Sequence, residues 1–238
     1  LTTGISGTVH PSQQDSFSCS PDLFGTFDIC LTNPPWENLK PDSRELRGME
    51  VKDATEYVRL LRERDVGLAE RFPLSQPSRK FSGWGTNLAR CGTELSIRLT
   101  KRGGFCGVVS PASLLADQTS TSLRKWIFAE NTVRDLAFFV AEAKLFEKVD
   151  QACITAIVES CTPGTSPPMI TTYDRKLNAT QMLLDDRAWS QAEEDEFVLP
   201  LQFGVAALGL RSKLVTLDSF AKLERKESDG LWAGRELD

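Results

Sequence analysis

The apolar and polar positions divide the chain into short apolar runs separated by amphipathic stretches. Residues 27–32 (FDICLT) form an apolar run that stops at Asn33-Pro34-Pro35, which predicts a buried strand ending in a rigid loop. Between 53 and 71, apolar residues recur near helical spacing among many charges, which predicts an exposed amphipathic helix. Residues 73–85 are rich in Pro, Ser and Gly and read as a loop. Thr86 or Asn87 supplies an N-cap for a helix that continues to about Arg102, where Gly103-Gly104 end it. Residues 105–110 (FCGVVS) predict a second buried strand stopped by Pro111, 117–129 a helix, 133–140 a third strand and 152–159 (ACITAIVE) a fourth.

Strands that are apolar throughout and alternate with helices indicate an α/β domain with a mainly parallel sheet. Runs 27–32 and 105–110 are apolar on both faces, so they are expected as neighbouring interior strands. The connection 141–151 is too short for a helical crossover, so the last two strands should pair antiparallel. Beyond the linker-like 161–168 (CTPGTSPP) the pattern weakens. There 169–173 reads as an edge strand, 177–186 as a short helix, and 204–214 as a helix within an acidic, loop-rich tail. The chain contains no internal repeat.

Composition narrows the chemistry. Of 238 residues, 40% are apolar and 26% charged, the ordinary balance of a globular protein. No apolar run approaches the roughly 18 residues needed to span a bilayer. Nor does a basic–apolar leader open the chain, so a cytoplasmic protein without membrane contact is expected. Six cysteines include no CxxC pair and His10 is the sole histidine, which argues against a metal site and against histidine acid–base catalysis. Cys30, Cys106 and Cys153 sit in apolar runs and read as small buried hydrophobes of a reducing compartment. A net charge of −5 argues against a free-standing nucleic-acid clamp, so phosphate contacts would fall on a local patch or on other sequence. The start at Leu1 and the stop at Asp238 lead us to expect a fragment.

Asn33-Pro34-Pro35-Trp36 is the stretch with the clearest chemistry. It follows a strand, and open α/β sheets bind ligands at the carboxyl ends of their strands. Asn33 precedes proline and is biased to extended backbone. Pro34 and Pro35 have fixed φ and no N–H, so the turn presents carbonyl acceptors without competing donors. The Asn33 side-chain oxygen adds another acceptor, and Trp36 a flat face for stacking. Two acceptors converging on one point suit an amino group with two N–H donors. Accepting those hydrogens draws the nitrogen lone pair out of ring conjugation and stabilises the positive charge that develops during attack on a methyl group. The same four residues also serve as plain strand-to-loop punctuation with a surface Trp.

FDICLTNPPW resembles the catalytic motif of amino-group DNA methyltransferases, in the branch that includes fused type II restriction–modification enzymes and phage-defence methylases. The resemblance implies an α/β, Rossmann-like methyltransferase sheet, mainly parallel with an antiparallel final strand. It implies S-adenosyl-L-methionine as cofactor, double-stranded DNA as partner, and methylation of the N6 amino group of a flipped adenine without a metal. It makes Asn33, Pro34, Pro35 and Trp36 the catalytic turn. Gln14-Asp15-Ser16-Phe17 lies at the distance of the family's acidic motif, so Asp15 would accept from the cofactor adenine, with Ser16 or Phe17 beside the ring. Phe146, in Leu145-Phe146, matches the aromatic residue that stacks on the other face of the flipped base, with Phe139 as the lesser candidate. Lys101-Arg102-Gly103-Gly104 with FCGVVSP resembles the family's helix–turn–strand, and residues 110–114, with Ser110 and Ser113, a pocket wall. Residues 83–87 (GWGTN) read as a pocket rim, and Trp232–Leu237 (WAGREL) resembles the phrase that opens a specificity region.

The chain departs from the family in one respect. No Gly-rich FxGxG loop follows a strand, and the acidic ribose contact is absent with it. Both are expected before Leu1, and a target-recognition region after Asp238. Residues 1–160 are therefore read as the C-terminal portion of a catalytic domain, and 161–238 as a linker and the start of the target-recognition region. A fused or partner nuclease fits this branch, and the isolated fragment is expected to be inactive. Methylation of RNA adenine or of a protein glutamine remains an alternative, as does a non-catalytic DNA-positioning scaffold.

Overall fold

One six-stranded sheet organises the protein, in the order β1-β2-β4-β3-β5-β6. The structure is a computed structural model describing residues 15–77, 85–147, 149–164 and 166–203. The strands are β1 (Phe27–Thr32), β2 (Thr100–Pro111), β3 (Thr132–Phe139), β4 (Cys153–Glu159), β5 (Met169–Tyr173) and β6 (Ala179–Leu183). β1, β2, β3 and β5 run in one direction, while β4 and β6 run against them. The sheet is Rossmann-like, and β3 and β4 pair antiparallel as the short 141–151 connection requires. Five helices accompany it among the described residues: α1 (Ser43–Arg47), α2 (Val51–Arg71), α3 (Leu88–Leu99), α4 (Thr121–Glu130) and α5 (Asp186–Glu194).

Alternation across the pleat explains the core. Cys106, Val108, Leu136, Ile154, Ala156, Val158 and Ile170 are buried against Ile97 of α3 and Leu123, Ile127 and Phe128 of α4. The same core takes in Leu184, Ala192, Phe197, Leu199 and Leu201, so packing continues well past position 161. Register mates on the opposite face are open, with Ile29, Leu31, Phe105, Ile157 and Leu183 all exposed.

Four expectations need correction. Among the described residues β1 is not interior but lies at the sheet edge, where Ile29 and Leu31 are 65% and 80% exposed. β2 is its immediate neighbour, as expected, in parallel register from Ile29↔Phe105 to Thr32↔Val108. α3 stops at Leu99 rather than about Arg102, because Thr100 turns to extended backbone and its hydroxyl donates to the Ser96 carbonyl. Gly103 then takes φ +73° inside β2, where the β1 register shifts between Phe27 and Ile29. The helix expected over 177–186 is absent apart from Asp186, which opens α5: the Asp174 carboxylate accepts from Lys176 N and Asn178 N, closing a turn that sends β6 back along β5. β5 consequently sits inside the sheet, and the edge is β6.

The amphipathic pattern at 53–71 is α2, whose sole buried residue is Leu68. Asp65 of α2 accepts from Thr86 N at 2.6 Å, tying this helix to the start of α3. The predicted helix at 117–129 begins with a 3-10 turn capped by Asp117 and continues as α4. His10, the 204–214 helix and the Trp232–Leu237 phrase lie outside the described residues.

Candidate active site

β1 delivers Asn33 to the carboxyl end of its strand, beside the end of parallel β2. Chain geometry then hands control to the two prolines. Pro34 is buried, Asn33 and Pro35 are exposed, and Trp36 is half-buried. α3 forms the floor under this turn. A Cβ placed on Gly92 would lie 2.3 Å from Pro34 Cβ, so the helix carries a glycine where the proline ring packs. After Trp36, Leu88 N donates to the Glu37 carbonyl at 2.9 Å and Leu39 N to the Thr86 carbonyl at 2.8 Å. The loop is therefore fixed on both sides of its aromatic residue.

Asn33, Pro34 and Pro35 form a wall shared by two cavities. One, of about 370 Å³, is completed by Trp36, Phe146 and Val149. Its lining carries no ionisable group. Phe146 meets Trp36 edge-to-face, with ring centroids 5.4 Å apart at 83°. Trp36 Nε1 is enclosed without a hydrogen-bond partner, so packing alone sets the indole's position. Phe146 arrives on the loop between β3 and β4, which a Lys144–Asp150 ion pair and a Val149 N to Phe146 carbonyl bond (3.3 Å) draw together.

The second cavity, of about 400 Å³, is lined by Asp15, Ser16 and Phe17 from one side and by Cys30, Thr32 and Ser96 among others. Asp15 caps a 3-10 turn: Phe17 N donates to its Oδ1 at 3.1 Å, and Arg64 of α2 donates to its Oδ2 at 2.9 Å. Phe17 is 9% exposed and packs edge-on against Phe72, 5.9 Å between centroids. A carboxylate offers about four lone-pair sites, so Asp15 retains acceptor capacity toward the cavity. The Cys106 thiol beside Cys30 lowers the Cys30 pKa by hydrogen bonding; burial opposes the shift and Ser96 assists it.

The structure thus brings together the residues singled out in the sequence, in two groups on either side of the Asn33–Pro35 wall. Phe139 is not among them: it stacks on Tyr173 of β5, 4.5 Å apart and near-parallel, as sheet packing. Ser110 is buried within β2, paired with Ile154, and lines neither cavity. Gly85 faces the turn's exit, where a Cβ would lie 1.6 Å from the Leu39 carbonyl oxygen. Sequence reasoning missed Val149, Gly92 and Ser96. Gly92 alone left a trace, as a glycine inside a helix, which usually has a packing reason. Among the described residues no group of three or more His, Cys, Asp and Glu side chains converges as a metal site would require. No described helix is long and apolar enough to cross a membrane.

Fold and geometry together define an α/β protein whose strand-end Asn-Pro-Pro turn lies between two cavities. Solved structures with this fold include the type IIG restriction endonuclease BpuSI, at 13% identity and a TM-score of 0.50 over 85% of this chain and 24% of that one. The M protein of the type I restriction enzyme EcoKI is also similar, at 13% identity and a TM-score of 0.40 over 68% of this chain and 28% of that one. The chain therefore spans only about a quarter of the length of these structures. No protein-family profile and no curated protein matches the sequence.

Proposed function

We propose that this chain carries the target-amine half of an S-adenosyl-L-methionine-dependent DNA methyltransferase, which methylates the N6 amino group of an adenine flipped from double-stranded DNA. The observation that supports it is the shared wall: Asn33, Pro34 and Pro35 border both the Trp36–Phe146 cavity and the Asp15–Phe17 cavity. A group transfer between two bound molecules needs their reacting atoms to meet at one point, and the turn is that point.

The second cavity fits the adenosine end of the cofactor. Asp15 offers an acceptor for an exocyclic amine, and Phe17 apolar surface for the ring. When bound there, the cofactor supplies an electrophilic methyl group. The chain's own residues do the rest. The Asn33 oxygen and the carbonyl acceptors of the proline turn take the two hydrogens of the target amine, rehybridise its nitrogen and orient its lone pair toward the methyl donor. Trp36 and Phe146, packed edge-to-face, give the base an apolar corner to lie against, offsetting part of the few kcal/mol that flipping costs. The pocket lining is mostly apolar and bears no charge, which favours a neutral purine. The proton leaves the nitrogen after the bond forms, so no buried base is required, and none lines the cavity.

Restriction–modification or phage defence is the setting this reading fits. A nuclease and a specificity region, fused or separate, would complete the system. The test is steady-state methylation of duplex DNA by the natural polypeptide that carries this chain. Asn33→Ala should lower kcat by roughly 10²–10³-fold with cofactor affinity unchanged. Asp15→Ala should instead weaken cofactor binding. Equal effects of both substitutions on cofactor affinity would refute the division of labour between the two cavities.

A further inference from the structure

Three backbone and side-chain links tie the exit of the Asn33–Trp36 turn to the start of α3. Two are the backbone bonds Leu88 N to Glu37 O and Leu39 N to Thr86 O, at 2.9 and 2.8 Å. Together they flank an isolated antiparallel bridge between Asn38 and Asn87. The third link is made by the side chains of that same pair: Asn87 Nδ2 donates to Asn38 Oδ1 at 2.9 Å. Asn87 has a second task at its other end, where its Oδ1 accepts from Arg90 N at 3.0 Å and caps α3. A single amide therefore spans from the first turn of the helix to a residue two positions past Trp36.

We propose that Asn87 is a positioning residue for the target-amine turn, holding Trp36 and Asn33 at a fixed height above α3 through Asn38; this rests on the amine-site reading above. Helix capping alone does not require an amide, since Ser, Thr and Asp cap as well as Asn. The donor half of the side chain is surplus to capping and is spent on the loop. The side-chain tie adds to the two backbone bonds, because residues 33–36 supply little of their own. Their prolines carry no N–H to donate, and Trp36 Nε1 makes no bond. Gly85, two residues before Asn87, lets the Leu39 carbonyl approach so closely that any side chain there would collide with it. The α3 entrance is thus shaped to receive residues 37–39, with Asn87 as its polar clasp.

Capping and clasping separate by substitution in the natural full-length polypeptide. Asn87→Ser keeps a capping oxygen but is too short to reach Asn38. Asn87→Asp keeps the cap and accepts from Asn38 once that amide turns over. Asn38→Ala removes the clasp from the loop side. Four quantities are read: helix content, cofactor affinity, amide hydrogen exchange at Leu39 and Leu88, and kcat with KM for duplex DNA. Asn87→Ser and Asn38→Ala should retain helix content and cofactor affinity, exchange faster at Leu39 and Leu88, and lose roughly tenfold or more in kcat, because a displacement near 1 Å can cost 10²-fold. Asn87→Asp should restore protection and most of the rate. Wild-type exchange at both amides in Asn87→Ser would overturn the proposal, as would a rate loss that tracks helix content or appears in KM alone. Asn33→Ala, measured alongside, distinguishes the two ideas: wild-type turnover in that variant sinks the amine-site reading itself. A dead Asn33→Ala beside a fully active Asn87→Ser sinks only the clasp.

Discussion

Replacing Gly92 with alanine probes how closely α3 and the proline turn fit. The added Cβ would sit 2.3 Å from Pro34 Cβ, 3.0 Å from Pro34 Cγ and 3.6 Å from Pro34 Cα. Carbon atoms prefer about 3.5–4.0 Å, so the ring and helix must separate by more than 1 Å. Two energetic effects oppose each other. Helix propensity favours alanine over an interior glycine by about 1 kcal/mol. Overpacking costs about 1–3 kcal/mol, and Pro34 is a rigid neighbour that cannot change rotamer to relieve it. Net destabilisation should then fall between zero and about 2 kcal/mol, too little to unfold the protein. The rate is another matter, since Pro34 sits between Asn33 and Trp36. Moving it by about 1 Å should cost roughly 10² in methyl transfer. The assay compares urea-unfolding midpoints and single-turnover methylation for wild type, Gly92→Ala and Gly67→Ala. A Cβ added at Gly67, in α2, would meet nothing within 4 Å, so this position serves as the propensity control. Gly67→Ala should gain about 1 kcal/mol and keep the wild-type rate. Gly92→Ala with wild-type turnover and a raised midpoint would refute the fit of helix to turn.

Three other outcomes are expected. Iodoacetamide should alkylate Cys30 at a lower pH than an ordinary thiol, because the thiolate is the nucleophile and the neighbouring Cys106 thiol lowers its pKa; mass spectrometry of the labelled chain reads this, and a pH profile no lower than that of a free cysteine would contradict it. Buried Glu94 accepts from Ser75 N and Oγ at 2.8 and 2.7 Å and pairs with Arg98, yet burial raises its carboxyl pKa. A raised folded pKa means stability is fullest below the unfolded value and declines as pH rises through the folded one, so wild type should lose stability relative to Glu94→Gln from acid toward neutral pH, as read by urea melts. The isolated 238-residue chain should bind S-adenosyl-L-methionine weakly or not at all by calorimetry, since Asp15, Ser16 and Phe17 address only the adenosine end and the sequence offers no Gly-rich loop for the rest.

The Asn33–Trp36 turn was legible as a rigid loop because proline constrains backbone in any context, and Asn-Pro-Pro at the end of an apolar run leaves few conformations. Strand pairing was legible for a similar reason: the 141–151 loop is too short to cross the sheet, so antiparallel β3 and β4 followed from length alone. Position within the sheet was not legible. Ile29 and Leu31 read as interior because they are apolar, but apolarity reports what a residue prefers to touch and not what the described residues provide. The hairpin after β5 was misread for a local reason. Residues 177–186 carry apolar side chains at spacings a helix also uses, and the deciding feature is the Asp174 carboxylate closing the turn. Hardest to see were contacts between segments remote in sequence. The Asn38–Asn87 clasp joins residues 49 apart, and nothing near either one signals the other.

The central claim is that the Asn33–Trp36 turn receives an adenine amine in one cavity and faces the methyl donor across the wall it shares with the other. The measurement that addresses it most directly follows the methyl group itself. Duplex DNA is incubated with methyl-labelled cofactor and the natural polypeptide that carries this chain, then digested to nucleosides and separated. Label should accumulate in N6-methyldeoxyadenosine and in no other nucleoside, and replacing Asn33 with alanine should suppress it by roughly 10²–10³-fold while Trp36→Phe retains much of the activity. Label on cytosine, on RNA or on protein, or an undiminished adenine signal from Asn33→Ala, would contradict the account.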